Sequence, residues 1–227
     1  MPSRPIVSGP VRTVLAIIAG ARPEPGHFTS GGLGTIANPL TPELVTSYLD
    51  TRLRTCVRVD AAAAVVALRS LSSGASLDVL QRVWLARTAS PILRAAAVTA
   101  GRDYLNRLRV RWPHHPATVA VSALSEPPRP LAVAAIGSAV GLTAVQVAWL
   151  VAQDDVQTVT AAASRLAGVS MQELGLVEAA VNGEIVDLVR QVARAAAPAD
   201  LPVVPALQLE QWIRRSSRPG SGLPGPD

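Results

Sequence analysis

The residues of this 227-residue chain best suited to chemistry are two adjacent carboxylates, Asp154 and Asp155, set inside an otherwise apolar run. Aspartates on a helix hold magnesium for diphosphate chemistry when several share one face, with a second cluster across the bundle. Position i+4 from Asp154 is Thr158, so the pair lacks a third member, and a metal-dependent helical enzyme stays only as a minor alternative. His114 and His115 adjoin in the segment WPHHP, but no Cys, Asp or Glu lies close enough in sequence to complete a site. With His27 they read as loop histidines. No Ser/His/Asp or Cys/His set is recognisable, and the glycine-rich SGGLG at 30–34 lacks the lysine and preceding strand of a phosphate loop. No catalytic residue and no metal ligand is assigned.

Helices must position whatever this chain uses. Hydrophobic residues make up 49% but aromatics only 3%, with alanine abundant, which favours closely packed helices over a sheet. The fold class is all-α. The basic residues are all arginine and give a net charge of +5. They are spread along many helices instead of forming a run, a pattern of solvated faces and protein interfaces more than of nucleic-acid binding. Cys56 is the single cysteine, so no internal disulfide is possible, and it reads as a small buried helix residue. Residues 11–20 faintly imitate a signal peptide, but the apolar core is short, and a first core helix of a cytoplasmic protein is the better reading. The length suits one domain over 1–218, followed by a disordered tail at 219–227.

Residues 143–168 form the organising element. Thr143 with Gln146 is a capping box, Gly168 suits a left-handed helix end, and the first half is apolar nearly all round, Trp149 included. Such a helix belongs inside a bundle, and its apolar run ends at Asp154, too short for a bilayer. In its second half Val156, Val159, Ala163 and Leu166 keep an apolar face, while Gln153, Gln157, Thr160 and Ser164 make a polar stripe. Before it the pattern predicts helices over 11–21, 41–58 (cap Thr41, then Pro42), 60–71 (cap Asp60), 76–86, 90–108 (cap Ser90), 117–124 and 130–140. After it come 170–196, with a capping box at Ser170 and Glu173 and a possible interruption at Asn182 and Gly183, and 206–215. That makes about ten helices around a long central buried one. The Gly/Pro-rich stretch 23–38, with Phe28, Leu33 and Ile36 as its few apolar residues, is expected to be ordered mainly by a partner. Residues 135–151 also resemble a helix-turn-helix with Gly141 at the turn. Only Gln146 could read base edges there, so a nucleic-acid-binding regulator is the runner-up.

Four stretches together resemble the UreF family of urease accessory proteins. SGGLGTIAN at 30–38 is similar to the family's serine-glycine-leucine motif. Residues 86–108 repeat its Ala-Arg, Leu-Arg and Gly-Arg dipeptides as Ala86-Arg87, Leu93-Arg94 and Gly101-Arg102. The central helix has the family's Gly-Leu start and a basic residue before leucine, Arg165, where many members carry lysine. Residues 198–216 are similar to its proline-flanked approach to a basic tail. Gly34 stands where the family commonly has glutamate, and the family's Arg-Leu-Phe ending is absent. The resemblance implies an all-helical, often dimeric, non-enzymatic cytoplasmic subunit that binds the UreD/UreH accessory protein and the GTPase UreG and helps deliver nickel to apo-urease. Nickel would be cargo, with no cofactor bound directly, and neither nucleic acid nor membrane is implied. The partner-binding residues it points to are Phe28, Ser30, Gly31, Gly32, Leu33, Arg94, Arg102, Gln157, Arg165, Trp212, Arg214 and Arg215.

Overall fold

Proline-and-cap signals start most of the helices. Thr41 Oγ1 accepts from Leu44 N with Pro42 at the first helical position, and Ser90 Oγ accepts from Leu93 N ahead of Pro91. The structure, a computed structural model, describes Gly9, Val14 and residues 40–88, 90–167 and 169–204. Among these residues the ordered elements are α1 (Pro42–Arg54), α2 (Cys56–Ser73), α3 (Asp78–Arg87), α4 (Pro91–Arg111), α5 (Pro116–Ser122), α6 (Arg129–Ala139), α7 (Ala144–Ala167), α8 (Met171–Val192) and a 3-10 turn, Pro198–Asp200. The fold is all-α, as the periodicity requires. The expected helices at 11–21 and 206–215, the loop at 23–38, Gly168 and the tail at 219–227 lie outside the described residues, apart from Val14, which is helical and buried.

The long helix α7 runs through the centre together with two helices that have longer unbroken buried stretches. In α2 every residue from Asp60 to Leu68 is buried, and in α6 every residue from Pro130 to Gly137 is. Alanine dominates these surfaces and allows close approach of the helices. The capping box at the start of α7 is present, Thr143 N donating to Gln146 Oε1 at 3.0 Å and Gln146 N to Thr143 Oγ1 at 3.3 Å. Gly141, at φ 73°, makes the left-handed turn between α6 and α7.

Several boundaries and faces differ from the sequence pattern. The first break falls at Thr55, not near Arg58. The hydroxyls of Thr51 and Thr55 donate back to Ser47 O and Thr51 O, and such bonds bend a helix. Asp60 is therefore no cap; it lies inside α2. Helix α3 begins at Asp78, two residues after Ser76, and α8 runs unbroken through Asn182 and Gly183 to end at Val192. On α7, Val145 and Leu166 are exposed and Trp149 is half-buried, so the apolar surface of this helix is covered on less than its full circumference.

The Ser170–Glu173 capping box is complete at the start of α8. Ser170→Ala should lower stability by about 1 kcal/mol in a denaturant titration, and a variant as stable as its parent would show that the box contributes nothing.

Candidate functional site

The charged residues that the apolar helices bury converge on one internal network. Arg52 on α1 grips Asp155 on α7 with both arms of its guanidinium, Nε to Oδ2 at 2.8 Å and Nη2 to Oδ1 at 2.7 Å. Its remaining face lies 5.5 Å from the Tyr48 ring centre. Arg129, the first residue of α6, donates through Nη2 to Asp60 Oδ2 at 2.9 Å and through Nη1 to Asp155 Oδ1 at 3.3 Å. The same Nη1 is 3.6 Å from Asp154 Oδ2. Two neutral donors complete the set: Trp84 Nε1 on α3 donates to Asp60 Oδ1 at 2.7 Å, and the Tyr104 hydroxyl on α4 donates to Asp154 at 3.0 Å. Helices α1, α2, α3, α4, α6 and α7 are thus joined through one set of polar contacts.

Burial opposes charge here, and pairing decides the outcome. Desolvation pushes Asp155 up, but Arg52 and then Arg129 outweigh it and hold its carboxyl below the ordinary carboxylate range. At Asp60 burial wins over Arg129 and Trp84, and its carboxyl is raised. Burial acts to lower Arg129, yet the carboxylates of Asp60, Asp155 and Asp154 raise it. Cys56, half-buried at the start of α2, has its thiol pushed up to about 11 by burial and is protonated at neutral pH. Asp154 and Asp155 are each 1% exposed and face arginines, so the pair presents no open magnesium site. Among the described residues no three His, Cys, Asp or Glu side chains gather as metal ligands. His115 has a structural role, its Nδ1 accepting from Ala117 N to cap α5.

The turn that launches Arg129 is held from α4. Gly101 faces the backbone of Pro127, Pro128 and Arg129 so closely that a Cβ there would lie 2.0 Å from Pro127 O. Its neighbour Arg102 pairs with Glu126 at 3.3 Å on the outside of the same turn, and Gln81 Nε2 donates to Glu126 O at 2.7 Å.

The UreF family model matches residues 41–174. A urease accessory protein UreF from Mycobacterium sp. (strain JLS) is 33% identical over 198 residues, covering 83% of this chain and 87% of its own length. This chain belongs to the UreF family of urease accessory proteins. In this UreF-family chain the matched segment runs from the cap of α1 into the first turn of α8 and holds every member of the buried network. The Gly-Arg dipeptide that supports the resemblance, Gly101-Arg102, has a local cause in the turn it clamps.

Of the residues that the UreF resemblance points to, Arg94 and Arg102 lie on α4 and Gln157 and Arg165 on α7. Arg94 is half-buried, with Nη1 donating to Leu85 O at 3.4 Å, and Arg102 is exposed and paired with Glu126. Gln157 is half-buried, and its stripe is partly covered: Thr160 is buried, with Oγ1 donating to Glu178 Oε1 of α8 at 3.2 Å. The polar stripe of α7 is therefore closed at Thr160, where α8 meets it, and half-buried at Gln153, Gln157 and Ser164. Arg165 is exposed in the last turn of α7 and has no hydrogen-bond or ion-pair partner among the described residues. Phe28, Ser30, Gly31, Gly32, Leu33, Trp212, Arg214 and Arg215 lie outside the described residues. The sequence reading missed Arg52, Asp60, Trp84, Tyr104 and Arg129 as partners of the aspartate pair. The available signal was the presence of charged residues inside helices otherwise apolar, where burial demands a counter-charge.

Proposed function

We propose that this protein is a non-catalytic helical scaffold in urease maturation. It binds the UreD/UreH accessory protein and the GTPase UreG, acts in the cytoplasm as a homodimer, and helps deliver nickel to apo-urease. Nickel passes through the assembly as cargo, and this chain carries no resident cofactor. The observation that carries the reading is the family match over residues 41–174, joined by the 33% identity to a urease accessory protein across most of both chains. The surface supports it: Leu166, Met171 and Leu176 are exposed around the connection from α7 to α8, beside Arg165, which has no ion-pair partner among the described residues, and apolar groups with an arginine suit a protein partner.

The two alternatives lose support from the same geometry. A recognition helix at 144–151 would need Gln146 free to reach a base edge, but this side chain is 7% exposed and turned back on Thr143. A magnesium enzyme would need the aspartate pair open, and it is closed by arginines. Among the described residues no helix is long and apolar enough to cross a membrane.

Co-purification of the full chain with UreD/UreH and UreG, followed by urease activation, tests the assignment, and failure to assemble with either would remove it. Within that complex Arg165→Ala should change GTP turnover while leaving the fold nearly as stable. A cation that only offsets the helix dipole would instead cost about 0.3–1 kcal/mol and leave turnover unaltered. Unchanged turnover in an intact complex would assign Arg165 to the helix end alone.

A further inference from the structure

Where the chain leaves α8 and turns back through the 3-10 segment, a cleft of about 320 Å³ opens against the side of α2. Its polar lining is Arg58, Gln191, Arg194 and Asp200, with apolar walls that include Ala62 and Val192. The other arginines on this flank have acceptors: Arg54 pairs with Asp50 and Glu184, Arg69 donates to Ala193 O, and Arg190 pairs with Asp187. Arg58, half-buried, and Arg194 have none among the described residues. Asp200 does not serve them. Its Oδ2 accepts from Ala196 N at 2.8 Å and Ala197 N at 3.0 Å, and these bonds hold its carboxyl below the usual range. Two guanidiniums thus face one committed carboxylate, which leaves a surplus of one positive charge in the cleft.

We propose that this cleft is a carboxylate-binding site. A guanidinium fork matches a carboxylate bidentately, and the Gln191 amide supplies a further donor. The single surplus charge matches a monoanionic group. The volume lies at the lower end for small-ligand clefts, about 300 Å³, which fits an acidic side chain of a bound protein or a small free carboxylic acid. The site is separate from the Arg–Asp network and does not depend on the urease reading.

The test is titration of the full chain with butyrate, with the peptide amide acetyl-Ala-Glu-Ala, both monoanions at neutral pH, and with inorganic phosphate, followed by NMR of the arginine Nε–Hε signals. Saturable binding of a carboxylate probe is expected, weakened at least about tenfold by Arg58→Gln and by Arg194→Gln and unaffected by Arg111→Gln on the far end of α4. The exposed Arg194 keeps the comparison valid if Arg58→Gln perturbs the fold. Tighter binding of the peptide identifies a protein side chain as the ligand, and tighter binding of butyrate identifies a free acid. Preference for phosphate over both overturns the carboxylate assignment, and absence of saturable binding, or equal binding by all variants, overturns the site.

Discussion

Arg129→Met should destabilise the protein by about 3–5 kcal/mol in denaturant unfolding at neutral pH, the cost of removing one member of a buried ion pair. The loss comes from what is left behind. Asp155 keeps the Arg52 fork, but among the described residues Asp60 keeps only the Trp84 N–H, and an ionised carboxylate without a counter-charge is expensive to bury. A second substitution, Asp60→Asn, should therefore recover part of the loss in the Arg129→Met background, a coupling that a double-mutant cycle reads directly. The pH dependence has a defined sign. Asp60 already has a raised carboxyl in the folded state, and removing Arg129 raises it further. A raised acid favours folding below its unfolded pKa, and that stability is lost as pH rises through the folded value, so the deficit of Arg129→Met should shrink as pH falls from neutral. Asp155 runs the other way in the parent: its contribution is present above the unfolded carboxylate pKa and disappears as pH falls through its lowered folded value. The comparison belongs above about pH 4, where unfolded aspartates are still ionised. A variant within about 1 kcal/mol of its parent at every pH would mean that the network is not the buried pairing described.

Gly101→Ala should be the most damaging conservative change in α4. An added Cβ would lie 2.0 Å from Pro127 O, 2.7 Å from Pro128 C and 2.8 Å from Arg129 N, all backbone atoms that no side-chain rotation can move. Overpacking usually costs about 1–3 kcal/mol, and the rigidity of these neighbours puts this site at or above the upper limit. The displaced segment also carries Arg129 to the network, so the damage extends beyond the contact. Gly183→Ala is the internal control. That glycine also sits inside a helix, but a Cβ there meets nothing within 4 Å, and alanine should stabilise it by up to about 1 kcal/mol. Melting curves of the two variants should move in opposite directions. Parallel shifts would rule out the close approach.

The helix pattern was legible because its signals are local. Thr41 with Pro42, Ser90 with Pro91, and Ser170 with Glu173 each mark a start within a few residues, and each is where the structure begins a helix. The partners of Asp154 and Asp155 were not legible for the converse reason. Arg52 and Asp155 are 103 positions apart and Arg129 and Asp60 are 69 apart, and no periodicity links such distances. Asp60, ahead of an alanine run, has the local appearance of a cap, and only the neighbouring helices make it an interior counter-ion. Arg129 sits among prolines that read as a break, which concealed that the break ends by aiming this side chain inward. Thr160, within the polar stripe of α7, was not legible as buried because its cover comes from α8, through Glu178, and not from the helix that carries it. On the surface, Arg102 is exposed, and its pairing with Glu126 depends on a turn that Gly101 holds in place, which no local pattern announces.

The network also limits how the chain can be divided. Any continuous stretch that contains all its members must reach at least from Arg52 to Asp155, and the family match at 41–174 encloses that interval. A scission anywhere inside it separates Arg52 from Asp155, leaving each piece with buried-type charges whose counter-ions lie on the other piece. The Thr55 break, although it looks like a natural joint between α1 and α2, is therefore a poor place to split the protein. A circular permutation that opens the chain outside that interval, for instance between α8 and the 3-10 turn, keeps every pair on one uninterrupted stretch.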